Sequence, residues 1–246
     1  ENFGKNVLGE NGKKRVSRVF NWLESQGVEI DNMKVLDIGA GPGAFTLAFA
    51  ERAQEVVALE PATAMTAFIK KQVAQKEIKN IRIIEETWEE VDLKKHNLEQ
   101  HFDLVFASMS PGVNNRETLD KALSCAKQYC FISSFAGKRR NDALSELWQI
   151  MFGENVPDRT GNIIYIFNLL YARGFDLSFK VWEEKVTMEN TVEEAVLRLE
   201  RDLQKYDIEG YSENDPRIKQ FVEERVINGV FRQEITSRLG QILVRL

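Results

Sequence analysis

The sequence predicts a doubly wound α/β fold: a mostly parallel, seven-stranded sheet with helices on both faces and a helical cap inserted before the last strand. Three observations predict it. Short β-rich runs alternate with amphipathic helices along the first two-thirds of the chain, so successive strands must run parallel through helical crossovers. One of those runs ends in a glycine-rich turn that opens a helix. The 246 residues, 43% hydrophobic and 29% charged, suit one large domain that carries an insertion.

The elements follow in order. Val16, Val19, Phe20 and Leu23 recur at helical spacing, which predicts a helix over 13–26 closed by Gly27. Residues 34–38 form a short apolar strand, 43–53 a helix and 55–59 a second strand. Met65, Phe68, Ile69 and Val73 stripe the next helix, and strands are predicted over 81–84, 102–107 and 129–133. Leu119, Ala122, Leu123 and Ala126 mark the helix before the fifth strand. Leu144, Leu147, Trp148 and Met151 form another stripe, 163–173 reads as an apolar helix capped by Gly174, and 175–182 alternates like a strand. Thr191 with Glu194 is a capping box, and Asp215-Pro216 starts a helix with an acid at the N-cap and proline behind it. The last β-like run is 241–246. We therefore expect an α/β core at 1–182, an inserted helical cap at 183–239, and the core's final strand at 240–246.

The chemistry concentrates in Val35-Leu36-Asp37-Ile38-Gly39-Ala40-Gly41-Pro42-Gly43. Glycine tolerates positive φ and lets a ligand approach the backbone, and the N–H groups at the following helix start attract an electron-rich ligand group. About twenty residues on, Val57-Ala58-Leu59-Glu60 ends the next strand in an acid placed to accept hydrogen bonds from both hydroxyls of a ribose. Together they form a nucleoside-binding arrangement. Gly39-x-Gly41-x-x-Ala44 also satisfies the dinucleotide fingerprint, but Asp37, Pro42 and Gly43 depart from it.

These residues resemble the first motif of the class I S-adenosylmethionine-dependent methyltransferases, and the resemblance spans about residues 13–133, with motifs in order. It includes Met65, the Thr87-Trp88-Glu89 stretch and the strand Phe102-Asp103-Leu104-Val105-Phe106-Ala107. It implies a Rossmann-like methyltransferase fold with S-adenosyl-L-methionine as cofactor and S-adenosyl-L-homocysteine as product. By that resemblance Gly39, Ala40, Gly41 and Gly43 approach the methionine moiety and ribose, while Asp37 orients the loop or meets the cofactor's amino group. Glu60 holds the ribose, Pro61 and Met65 face the adenine, Thr87 and Trp88 border its other side, and Ala107, Ser108 and Met109 lie beside the methyl group. Thr87 stands where many members have an acid, so Glu86 or a backbone carbonyl is the alternative partner for the adenine amino group.

Other features exclude or constrain. A net charge of −5 counts against duplex nucleic acid as the main partner. Cys125 and Cys130 cannot form a disulfide framework and read as buried inert thiols in a reducing, cytoplasmic setting. His96 and His101 are too few for a metal cage, and both read as solvated loop residues. No apolar run is long enough for a membrane span. Lys138-Arg139-Arg140 reads as a solvated turn or salt-bridging cluster, with contact to an acidic substrate as the alternative. The chain begins at Glu1 without methionine, so upstream sequence is expected.

Methyl transfer releases a neutral leaving group that needs no protonation, so a base is needed only where the nucleophile carries a proton at its working pH. The turn Ser108-Met109-Ser110-Pro111-Gly112-Val113-Asn114 lacks the acid or amide leader and the stacking aromatic of enzymes that methylate flipped bases. The expected function is methyl transfer to a small-molecule acceptor, as a monomer or homodimer. The alternatives are an RNA or protein methyltransferase, for which Lys13, Lys14, Arg15, Arg18 and the 138–140 cluster would be the electrostatic footprint, and a non-catalytic cofactor-binding subunit.

Overall fold

The computed structural model describes residues 9–157, 163–206, 211–212 and 214–246, with Asn11 and Lys138 described in backbone only. Glu1 and the Lys138 side chain, both singled out above, lie outside the described residues. The elements are α1 (Glu10–Ser25), β1 (Lys34–Ile38), α2 (Ala44–Ala50), β2 (Glu55–Leu59), α3 (Thr63–Gln75), β3 (Ile81–Ile84) and β4 (Phe102–Ser108). They continue with α4 (Arg116–Cys125), β5 (Ala126–Asn141), α5 (Asp142–Phe152), α6 (Ile163–Ala172), β6 (Asp176–Asn190), α7 (Val192–Leu203), α8 (Pro216–Glu223) and β7 (Phe231–Arg245).

The seven strands make one sheet in the order β3-β2-β1-β4-β5-β7-β6. β1 pairs in parallel with β2 and β4, β2 with β3, and β4 with β5. This is the doubly wound, mostly parallel sheet of the Rossmann-like methyltransferase fold. Winding runs outward from β1 to β3 and then returns to β4, so the strand order reverses beside β1, where open α/β sheets bind ligands at the carboxyl ends.

By packing, the chain divides into two units. The first comprises Glu1–Ser134, Asn162–Lys180 and Gly240–Leu246, and the second Phe135–Gly161 and Val181–Leu239. In the first unit, burial on both faces explains the continuous apolar runs of β1, β2 and β4. One face carries Val35, Val56, Leu104, Phe106 and Phe131 against Val19 and Leu23 of α1 and Phe45 and Phe49 of α2. The Phe106 and Phe131 rings stack at 4.6 Å, and Phe45 lies 4.7 Å from Phe106. That cluster fixes the end of β4 against the helix the glycine turn opens.

The second unit has its own core, in which Leu147 and Trp148 of α5 meet Ala195, Leu199 and Leu203 of α7 and Ile218 and Val222 of α8. Both predicted caps form: Thr191 and Glu194 make a capping box, and the Asp215 carboxylate accepts from Arg217 N–H at 3.0 Å. Strand structure reaches further here than the sequence pattern predicts. β5 runs to Asn141, β6 to Asn190, and β7 begins at Phe231. The segment 183–239 therefore starts and ends as strand around two helices, and Arg139 and Arg140 stand in β5, not in a turn. Polar side chains on these stretches disguise the period-2 alternation that identifies a strand.

Candidate active site

The turn after β1 is anchored from both sides. Gly39 and Ala40 N–H both donate to the Leu59 carbonyl, at 2.8 and 3.1 Å, which ties the turn to the end of β2. Gly41 N–H donates to Glu60 Oε2 at 2.9 Å, and Ala62 N–H to Oε1 at 3.0 Å. The glycine turn and the acid predicted to share a ribose are thus in direct contact. Asp37 is 2% exposed, and its Oδ2 accepts from Thr46 Oγ1 of α2 at 2.6 Å. Burial raises its carboxyl to about 6, against the lowering effects of Thr46 and Arg15. Of its two anticipated roles, the structure shows the orienting one: Asp37 braces the turn against the helix that follows it.

The three glycines take φ of +74°, +55° and +91°, and they are small for different reasons. A Cβ on Gly39 would collide with the Ser110 hydroxyl, and one on Gly43 would lie 2.7 Å from Ile69 Cγ1. A Cβ on Gly41 would meet nothing within 4 Å. Packing requires glycine at 39 and 43, whereas at Gly41 the open space beside the Glu60 carboxylate is the feature a ligand would use.

Ser110 belongs to the turn after β4, which begins under strain. Met109 has φ of +56°, rare for a residue with a side chain, and its N–H donates to the Ser133 carbonyl at 2.8 Å. Ser108 and Ser133, at equivalent points of β4 and β5, share a 2.9 Å hydroxyl hydrogen bond. Arg15 of α1 donates to Ser108 Oγ at 2.9 Å and lies over the Phe45 ring at 5.0 Å. Counted as surface charge from the sequence, Arg15 turns inward at the end of β4. Its signal was available: Arg15, Val19 and Trp22 fall at i, i+4 and i+7, and the last two are buried.

Other predicted residues are placed differently. Trp88 is 2% exposed and donates its indole N–H to the Thr118 carbonyl at 3.0 Å, so it belongs to the core and offers adenine no face. Ala107, 1% exposed, is likewise packing beneath the strand end. Thr87 bonds Glu90 within its own turn, and Glu86 is held by Lys95 and His96, which removes it as the alternative adenine partner. Pro61 is exposed and Met65 half-buried, on the segment that follows Glu60. His101 pairs with Glu55 at the opposite, amino end of β2. Both cysteines are buried, and burial pushes their thiols up to about 12. Among the described residues no group of three or more His, Cys, Asp or Glu could hold a metal ion, and no helix is long and apolar enough to cross a membrane.

The donor set suits an adenosyl cofactor. Each Glu60 oxygen holds one N–H and retains a lone pair, and a Cβ-free face lies next to it. The family model for methyltransferase domains matches residues 35–130, from β1 into β5. A 73-residue stretch is 36% identical to the "probable ribosomal RNA small subunit methyltransferase A" of Methanosphaera stadtmanae. That match covers 30% of this chain and 27% of the relative, so the chain spans about a quarter of the length of the curated relative it matches. In fold the chain is similar to a SAM-dependent methyltransferase from Aquifex aeolicus, with TM-score 0.52 and 16% identity over 73% of this chain and 90% of that one. It is also similar to the magnesium protoporphyrin IX methyltransferase of Synechocystis PCC 6803 with bound SAH, with TM-score 0.53 and 12% identity over all of this chain and 88% of that one. A parallel sheet reversing beside β1, with a glycine turn and acid at its carboxyl end, is an α/β arrangement that suits a nucleoside ligand. Residues 35–130 thus match a methyltransferase domain, and the fold of the chain is that of the class I S-adenosylmethionine-dependent methyltransferases.

Proposed function

We propose that the protein transfers a methyl group from S-adenosylmethionine to a small-molecule acceptor by in-line displacement. The observation that carries the reading is the Glu60 carboxylate resting on Gly41 N–H beside open space. In this reading Glu60 binds the ribose hydroxyls, and Gly39, Ala40, Gly41 and Gly43 pass their backbone along the nucleoside and methionine parts. Pro61 and Met65 flank the adenine, Thr87 caps the turn beyond it, and Ser108 lies nearest the methyl group. Asp37 acts through Thr46, and Trp88 and Ala107 support from below.

The bound cofactor supplies an electrophilic methyl whose leaving group departs neutral. The residues here therefore position two reactants and exclude water, and no side chain has to protonate the leaving group. The strained Met109 turn and the Arg15–Ser108–Ser133 chain hold the carboxyl ends of β4 and β5 rigid for that purpose.

Two features favour a small acceptor over nucleic acid: the net charge of −5, and a post-β4 turn, Ser110-Pro111-Gly112-Val113, without an aromatic on which a base could stack. The test is formation of S-adenosylhomocysteine across a metabolite panel, with Glu60→Ala as negative control. Turnover only with RNA, lost as salt rises, would move the acceptor to nucleic acid. Cofactor binding without turnover on any panel would leave a binding subunit.

A further inference from the structure

Arg15 leaves α1 and ends where β4 and β5 end. Its Nη2 donates to Ser108 Oγ at 2.9 Å, and its half-buried guanidinium lies over the Phe45 ring at 5.0 Å. Ser108 Oγ shares a 2.9 Å hydrogen bond with Ser133 Oγ, and Ser133 is 5% exposed. This cluster is short of an acceptor. The two hydroxyls own two protons, and the bond between them uses one. Whichever serine donates, the other proton has no acceptor among the described residues. The Asp37 carboxyl attracts Arg15, but it accepts from Thr46 and takes no hydrogen bond from either serine. A buried donor left unmet is costly, and here it stands beside a cation, so the group that completes the cluster is an anionic oxygen.

The strand register places that oxygen. Ile38 stands opposite Leu59, Asp37 opposite Phe106, and Ser108 opposite Ser133. Glu60, the glycine turn, Ser108 and Ser133 thus follow one another along the carboxyl edge, across β2, β1, β4 and β5. At one strand spacing per step, Ser108 lies roughly 10 Å along the edge from the end of β2, and Ser133 roughly 14 Å. With the ribose at Glu60 and the methyl group at Ser108, the donors extend from Ser108 away from the ribose, onto the acceptor's side. A guanidinium fork matches the two oxygens of a carboxylate. One cation among neutral hydroxyls also balances the single charge of a carboxylate better than the two of a phosphate.

We propose that Arg15, with the Ser108 and Ser133 hydroxyls, binds a carboxylate of the methyl acceptor, which makes the substrate a small carboxylic acid. The site so assigned rests on the methyl-transfer reading, which puts the methyl group at Ser108.

The test uses the full chain. Calorimetric titration with S-adenosylhomocysteine and with methylthioadenosine, which lacks the amino-acid arm, reads the cofactor site alone. Both should bind wild type, and Arg15→Gln should keep each affinity within about twofold, because the guanidinium lies beyond the cofactor. Formation of S-adenosylhomocysteine is then followed across small amino and hydroxy acids, each beside its primary amide. Wild type should turn over at least one acid with kcat/KM about tenfold or more above that of its amide, as expected for a charge-assisted contact. In Arg15→Gln the KM for the acid should rise about tenfold, and acid and amide should come within about twofold of each other. Arg15→Lys keeps the cation and should recover part of the preference for the acid. Ser133→Ala leaves Arg15 in place, should narrow the same gap, and keeps the comparison open if Arg15→Gln does not fold.

A residue that only stiffens the strand ends would lower turnover of acid and amide alike, and that result overturns the proposal. So does a protein that binds S-adenosylhomocysteine but turns over none of the acids. Loss of S-adenosylhomocysteine affinity in Arg15→Gln with methylthioadenosine unaffected also overturns it, because the guanidinium would then hold the cofactor's own carboxylate. Failure of wild type to bind either adenosyl compound instead overturns the methyl-transfer reading, and the proposal falls with it.

Discussion

Gly41 N–H and the Glu60 carboxylate meet at 2.9 Å although nineteen residues separate them in sequence. Parallel pairing of β1 with β2 makes this possible. Ile38 stands opposite Leu59, so the next residues of both strands emerge together at one sheet edge. A ligand held there would be gripped by two segments that the sheet already keeps in register.

Glu60→Ala should therefore lower affinity for S-adenosylhomocysteine by roughly ten- to a hundredfold, as expected for hydrogen bonds to a charged acceptor. The fold should lose only about 1 kcal/mol, because Gly41 and Ala62 N–H can turn to water in that half-buried setting. Calorimetric titration beside a denaturation curve separates the two effects. Undiminished affinity would sink the ribose assignment.

The neighbouring glycines should respond oppositely to alanine. At Gly39 the left-handed backbone and the Ser110 hydroxyl both oppose a methyl group, so Gly39→Ala should cost roughly 2–3 kcal/mol of stability. Adding Ser110→Gly should return the steric part. Gly41→Ala meets no atom, so it should cost about 1 kcal/mol from backbone strain while its methyl intrudes on the ligand and weakens cofactor binding. Urea denaturation and cofactor titration of the three variants check the order.

The part of this site that was legible in the sequence is the part that local patterns specify. A buried parallel strand reads as a continuous apolar run, a turn at positive φ demands glycine, and strand pairing places Glu60 at the same edge. Side-chain contacts across elements leave weaker traces. Nothing local announces that Ser110 covers Gly39, or that Trp88 spends its indole on Thr118. The outer halves of β5, β6 and β7 were hidden by composition: Glu183, Glu184 and Lys185 within β6 look like a solvated helix face until the sheet shows them on alternating sides.

Trp88 offers a clear contrast between packing and ligand contact. Trp88→Phe keeps a buried ring but leaves the Thr118 carbonyl without the indole, and should cost about 1–2 kcal/mol. Affinity for S-adenosylhomocysteine should stay within about twofold. A large loss of affinity at unchanged stability would return Trp88 to the adenine site.

Asp37 gives a prediction with a definite sign. Burial raises its carboxyl from 3.8 to about 6. Between those values the unfolded chain releases the proton while the folded chain keeps it, so the folded state binds more protons and stability from this group falls as pH rises. The loss is complete above about 6 and is on the order of 3 kcal/mol. Asparagine has nearly the same shape and can still accept from Thr46 Oγ1, but it carries no charge to desolvate. Asp37→Asn should accordingly raise the thermal midpoint at pH 7.5 and have little effect near pH 4, where the native carboxyl is already protonated. Thermal scans of both proteins across that range measure the difference directly. A gain that is the same at both pH values, or larger at the acidic one, would show that the carboxylate is not held at a cost in the fold.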